Sequence, residues 1–199
     1  VCDMAAFRKG LPHFAVGEVV KGFGRGSKEL GIPTANFPEN VVDNLPKDLD
    51  TGIYFGWANV DNGPRYKMVM SIGWNPYYKN EKKSMEIHLF QETHIMNVFE
   101  NDFYGSQLRV VLLGYVRPEC SFKSLDDLIT AIKNDIAEAD RQLALPEYEE
   151  FRDHTFFVDS NNKYVAQNNA SSKGGITNDI TNGHHNGDTT NGIDENKTT

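Results

Sequence analysis

A small antiparallel β-barrel closed by one C-terminal helix is the fold class this sequence predicts. Three observations lead there. Five short apolar segments separated by turn residues run from about residue 14 to residue 116. The apolar period then switches once, to helical, after residue 124. Nowhere do strand and helix patterns alternate as they would in a parallel βαβ chain.

The first segment, FAVGEVV (14–20), alternates and places Phe14, Val16 and Val20 on one face, with Glu18 interrupting it. GIYFGWANV (52–60) and YKMVMSIGW (66–74) are separated by Asp61-Asn62-Gly63-Pro64-Arg65, and the Asn-Gly within it signals a hairpin. SMEIHLF (84–90) reads as a further strand. LRVVLLGYV (108–116) is rich enough in Val and Leu to sit centrally. In SLDDLITAIKNDIAEADRQLAL, apolar residues fall at 125, 128, 129, 132, 136 and 143, which is helical spacing. Ser124 is placed to cap that helix with Asp127 three residues on, and Pro146 stops the run. The large aromatics Phe55, Trp57, Trp74 and Tyr115 are expected in the core rather than against a ligand.

Composition divides the 199 residues. From Ser160 onward Asn, Gly, Thr, Ser and Asp dominate and Tyr164 is the only aromatic residue. Such a stretch buries too little apolar surface to offset the entropy of ordering, so 160–199 reads as a disordered tail. Residues 1–11 read as a leader, 12–150 as one domain of common size and 151–159 as a short extension. The net charge of −8 belongs largely to the tail: from Glu147 onward nine acids face four bases, against 19 and 16 in the remainder. A nearly balanced body offers no broad basic face for nucleic acid. Two cysteines, Cys2 and Cys120, make neither a disulfide framework nor a zinc set. The sequons at Asn169 and Asn196 and the pair His184-His185 lie in the tail. No apolar run approaches a membrane span, so a soluble, cytoplasmic, monomeric protein without membrane insertion is expected.

The loop after the first strand carries the chemistry. GFGRGSKELGIPTANFP (22–38) crowds four glycines, an Arg and a Lys before a Pro-Thr-Ala-Asn run. It is no Walker A loop, because Ser27 precedes Lys28 and Glu29 follows it. It is no dinucleotide fingerprint either, because Ser27 stands where the third Gly is required. Spacing alone leaves open a phosphate-holding loop or a plain flexible turn.

Together with VMSIGWNPYYKNEKKSMEIH, FENDFYG and GYVRPECSF, that stretch closely resembles riboflavin kinases of the eukaryotic monofunctional type, over about residues 12–150. The resemblance implies a six-stranded antiparallel Greek-key barrel with a C-terminal helix. It implies transfer of the γ-phosphate of ATP to the 5′-hydroxyl of riboflavin, giving FMN and ADP. It places the Gly22 loop over ATP with Lys28 near the phosphates, and Thr34 and Asn36 on Mg²⁺ or another divalent ion. Neutral oxygens suit a hard cation that also takes phosphate oxygens, and Pro33 and Pro38 would stiffen the segment. Arg117 and Asp126 match flavin-side positions, while Cys120 stands where some relatives have Lys. The family's base is a glutamate on the strand after Trp-Asn-Pro.

Here that position is duplicated. Glu86-Ile-His88-Leu-Phe and Glu92-Thr-His94-Ile-Met are similar phrases, as though about six residues had been inserted. Glu86 keeps the upstream spacing and hence the hairpin register, so it is the expected base, with Glu92 as the alternative. If both lay in one extended strand they would share a face yet stand about 20 Å apart, too far to serve one hydroxyl. His88 and His94 are assigned no role. A barrel that binds flavin and nucleotide without turnover is the competing functional reading, because the insertion adjoins the catalytic strand.

Overall fold

The computed structural model describes residues 10–22, 32–74, 83–90, 99 and 101–158. Most of the expected leader, the loop holding Lys28, Glu92 with its neighbours, and the tail lie outside the described residues.

Six strands form one sheet: β1 (His13–Glu18), β2 (Ala35–Asn36), β3 (Gly52–Val60), β4 (Arg65–Trp74), β5 (Lys83–Phe90) and β6 (Gln107–Arg117). Their spatial order is β1-β6-β3-β4-β5-β2, with every neighbouring pair antiparallel. Within it β3-β4-β5 is a meander, and β6 returns beside β3, which is the Greek-key arrangement. The sheet curls until its two edges touch. Val20, just past β1, bridges Asn36 of β2, and its N–H donates to the Asn36 carbonyl at 3.0 Å.

Curling gives the sheet two buried faces. Inside lie Tyr54, Met68, Met70, Ile72, Ile87 and Leu112. Outside, Phe55, Trp57, Phe90 and Val111 meet Ile136, Ala139 and Leu143 of the long helix. β6 contributes to both faces, which is why its sequence is a continuous apolar run rather than an alternation. At Gly56 the β3–β6 register shifts, and a side chain there would overlap the Val111 carbonyl. Only glycine permits that approach.

Helix α1 (Glu39–Val42) is a single turn after Pro38. Helix α2 (Leu125–Leu143) starts as its sequence requires, with the Ser124 hydroxyl accepting from the Asp127 N–H at 3.1 Å. Lys67 of β4 pairs with Asp140 and pins the helix to the sheet. Pro146 does more than end the run: it opens α3 (Pro146–Glu149) at a position where a missing N–H costs nothing. Two 3-10 turns, Glu150–Asp153 and Thr155–Phe157, follow. Trp57 Nε1 donates to the Tyr148 carbonyl at 2.9 Å, and Phe156 and Phe157 are fully buried in the outer core. Packing therefore continues past residue 150.

Several local expectations shift. In β1 the deeply buried residues are His13 and Ala15, while Phe14 and Val16 are half-buried against the outer core. The β3–β4 turn sits one residue earlier than the Asn-Gly pair suggests. Asp61 and Asn62 take the positive φ values, 48° and 61°, and the Gly63 N–H closes on the Val60 carbonyl. That is type I′ geometry, which Asp and Asn tolerate. Here their side chains also bond β6, Asp61 Oδ1 accepting from the Gln107 N–H and Asn62 Oδ1 from Arg109. Phe55 and Trp57 are buried and Tyr115 half-buried, but Trp74 is 44% exposed at the end of β4, with the Lys83 ammonium over its ring.

Candidate functional site

β2 is two residues long, and the prolines around it explain why. Pro33 and Pro38 lack the N–H needed to extend a ladder. What remains pairs with β5 in one register: Ala35 opposite Ile87, and Asn36 opposite Glu86. Residues directly opposite in an antiparallel pair share a face, with Cβ atoms about 5 Å apart. Asn36 and Glu86 are thus brought side by side from positions fifty apart in the chain. Gly22 joins them, since a Cβ there would stand 2.8 Å from Asn36 Cγ. The glycine loop therefore begins against the Asn36 amide.

Glu86, half-buried, points to the helix-covered side of β5 and lines a cavity of about 320 Å³. Thr34, two residues before Asn36, lines it too, as does His88, two residues after Glu86. Ile53, Val69 and Ser71 form the floor, and Leu128 and Ile132 of α2 form the roof. Glu119, Cys120 and Phe122 stand at the segment leading into the helix. Asn36 is buried beside Glu86 without itself lining the cavity, and Asp126 is exposed in the first turn of α2, also off the lining. Lys28 and Glu92 lie outside the described residues.

Arg117 lines the cavity, but its guanidinium is already engaged. Nε and Nη2 donate to both oxygens of Asp135 at 2.8 and 2.7 Å. Nη1 donates to the Pro118 carbonyl and to Cys120 Sγ, each at 3.1 Å, and the cation lies 5.6 Å from the Phe122 ring centre. This one side chain ties the end of β6, the segment 118–122 and α2 together. The Asp135 hydrogen bonds strengthen the hold of Arg117 on its proton. Burial pushes the Asp135 carboxyl up, opposed by the same bonds.

His88 is buried, and its Nδ1 stands 2.8 Å from the Pro33 carbonyl. A carbonyl can only accept, so Nδ1 carries the proton. Burial lowers the His88 pKa, which keeps the ring neutral and Nε2 unprotonated. Among the described residues Nε2 has no hydrogen-bond partner.

Among the described residues no three His, Cys, Asp or Glu side chains converge as a metal cage. The oxygen-bearing side chains close to one another in the fold are Thr34 and Glu86, which line the cavity, and Asn36, which lies opposite Glu86. All offer oxygen, as a hard divalent cation requires, and two neutral ones leave room for phosphate and water. The residues present fit such an ion.

Sequence reasoning missed two participants. Asp135 had a readable signal: an acid three residues after Ile132, on the apolar stripe of an amphipathic helix. For His88 there was none beyond its place two residues from Glu86.

Apolar walls with a few polar groups, among them the Glu86 carboxylate and the Thr34 side chain, define a small-molecule enzyme site on a β-barrel. The comparisons with known proteins make this specific. A family model described as flavokinase, riboflavin kinase, matches residues 9–143. The riboflavin kinase of Homo sapiens is 60% identical over 155 residues, covering 78% of this chain and 96% of that protein. The riboflavin kinase of Mus musculus is 60% identical over 157 residues, covering 79% and 97%. The crystal structure of riboflavin kinase from Trypanosoma brucei superposes with a TM-score of 0.57 at 29% identity, covering 73% of this chain and 86% of that one. The chain belongs to the riboflavin kinase family.

Proposed function

We propose that this chain is a monomeric, cytoplasmic ATP:riboflavin 5′-phosphotransferase in which Glu86 is the general base. The observation that carries the assignment is the β2–β5 register, which sets Glu86 beside Asn36 at a cavity with apolar walls from β3, β4 and α2. The flavin ring system suits the space between Ile53 and Val69 below and Leu128 and Ile132 above. Its ribityl chain then runs toward Glu86. The carboxylate accepts the 5′-hydroxyl proton as that oxygen bonds to the γ-phosphorus of ATP. The bond from the γ-phosphorus to the bridging oxygen breaks, and ADP leaves with the electron pair. Phosphoryl transfer asks mainly for positioning and charge neutralisation, and a two-residue strand pinned between prolines supplies positioning. Magnesium, or another hard divalent ion, would be held by Thr34 and Asn36 and would neutralise phosphate charge.

The glycine loop starting at Gly22, with Lys28, is the proposed cover for the ATP phosphates. Arg117, in the cavity wall, and Asp126, in the first turn of α2, are the proposed flavin-side contacts. Glu86 is preferred to Glu92 because it sits in the paired part of β5, opposite Asn36. The same placement, with membership of the family, disfavours a barrel that binds without turnover.

The test is FMN formation from riboflavin and ATP with and without divalent metal, read by chromatography with fluorescence detection. Glu86→Gln should lower kcat by about 10²–10⁴-fold, the range for removing a general base, while flavin binding persists. Full activity in Glu86→Gln with loss in Glu92→Gln would move the base to the second glutamate.

A further inference from the structure

We infer that His88 is a positioning residue of this active site: its ring tethers the Pro33–Asn36 segment to the strand that carries Glu86. The inference rests on the roles proposed above for Thr34, Asn36 and Glu86.

Asn36 is held by its pairing with Glu86 and by the Val20 bridge, and Ala35 is buried in the inner core, so the tether matters at the start of the segment, where the backbone ladder stops. β2 contributes two paired residues at the sheet edge. Its preceding residues include Pro33, whose nitrogen cannot donate, so the ladder has no backbone donor there. Continuing the register by one position places Thr34 opposite His88, just as Asn36 lies opposite Glu86. The His88 imidazole reaches one residue further than the ladder does, and Nδ1–H bonds the Pro33 carbonyl across 55 positions of chain. A side chain thus bonds the segment one residue beyond the last backbone pair, through the carbonyl that Pro33 still offers.

The tether fixes one particular atom group. Pro33 is bonded directly to Thr34, whose hydroxyl lines the cavity with Glu86. Losing the His88 bond leaves the Pro33 carbonyl without this donor and frees the start of the segment to swing from β5. The flavin walls, Ile53, Val69, Leu128 and Ile132, belong to other elements and should stay in place. His88 itself lines the cavity opposite Val69, so the tether predicts a larger effect of its loss at the metal and ATP end than at the flavin end.

Two amides discriminate between the ring nitrogens. Asn places its NH₂ where Nδ1 stands, whereas Gln places it where Nε2 stands. In a steady-state assay, His88→Leu should raise the half-saturating concentrations of Mg²⁺ and MgATP about tenfold, as loss of one ordering hydrogen bond would. Riboflavin affinity, read by quenching of flavin fluorescence, should change less than about twofold. His88→Asn should recover most of the loss and His88→Gln should not. Should the Leu variant fail to fold, the Asn and Gln pair still decides the question.

Equal weakening of riboflavin and MgATP binding overturns the tether, as does rescue by Gln rather than Asn, which would make Nε2 the working atom. Asn36→Ala and Glu86→Gln run alongside. If Asn36→Ala leaves the metal requirement unchanged, the proposed site fails. If both controls behave and His88→Leu is silent, the tether alone fails.

Discussion

Removing the Arg117 side chain should destabilise the whole domain rather than merely weaken a ligand contact. Arg117→Met keeps most of the aliphatic length but deletes both bonds to Asp135, the bond to the Pro118 carbonyl and the stacking on Phe122. Breaking a fully buried ion pair by removing one partner costs about 3–5 kcal/mol, because the remaining charge is stranded. Here the Asp135 side chain is 6% exposed but Arg117 keeps 24%, so water reaches the pair from one side. The lower end, about 3 kcal/mol, is expected. For a domain of this size that corresponds to a fall in Tm of roughly 6–12 °C.

The assay is urea unfolding followed by tryptophan fluorescence, with flavin binding measured on the folded variant. Replacing both partners, Arg117→Met with Asp135→Leu, removes the stranded charge. The double variant should be more stable than the sum of the single losses by roughly 1–3 kcal/mol. If Arg117→Met unfolds within about 0.5 kcal/mol of the parent while its riboflavin affinity collapses, the guanidinium serves the ligand and the latch reasoning is refuted.

Two further outcomes test the packing. Phe157→Ala should cost about 3–5 kcal/mol, since the ring is fully buried in the outer core and the Arg65 guanidinium lies 4.9 Å from its centre; a denaturation midpoint unchanged by this substitution would show that the last turn is dispensable. Burial lowers the His13 pKa from 6.5 to about 4. Its folded value therefore lies below its unfolded one, and the unfolded chain binds more protons between those limits. The stability tied to neutral His13 is complete above pH 6.5 and is lost as pH falls toward 4, up to about 3 kcal/mol. Chemical denaturation at several pH values should show this slope in the parent and a shallower one in His13→Asn.

Much of this protein was legible before its coordinates. Alternation and turn residues located five strands, the change of period located α2, and Ser124 with Asp127 marked the helix start to the residue. These signals are local: each depends on residues within one segment, where period and capping are written directly into the chain. The motif around Pro33–Asn36 and the resemblance it carries were likewise a property of contiguous residues.

The tertiary structure decided everything that depends on register. That Asn36 faces Glu86, that His88 reaches Pro33 and that Arg117 is bound to Asp135 are meetings of distant segments. β2 left no periodic trace because two residues between prolines cannot show a period. In β1 the deeply buried positions went to His13 and Ala15, while Phe14 packs on the outer side against Phe156. Composition marked off the tail from Ser160; only the packing shows that Phe156 and Phe157, in the extension 151–159, are fully buried in the outer core. Local sequence determines what a segment can become; only closure of the sheet decides which two segments share a rung, because that depends on the packing of all six strands at once.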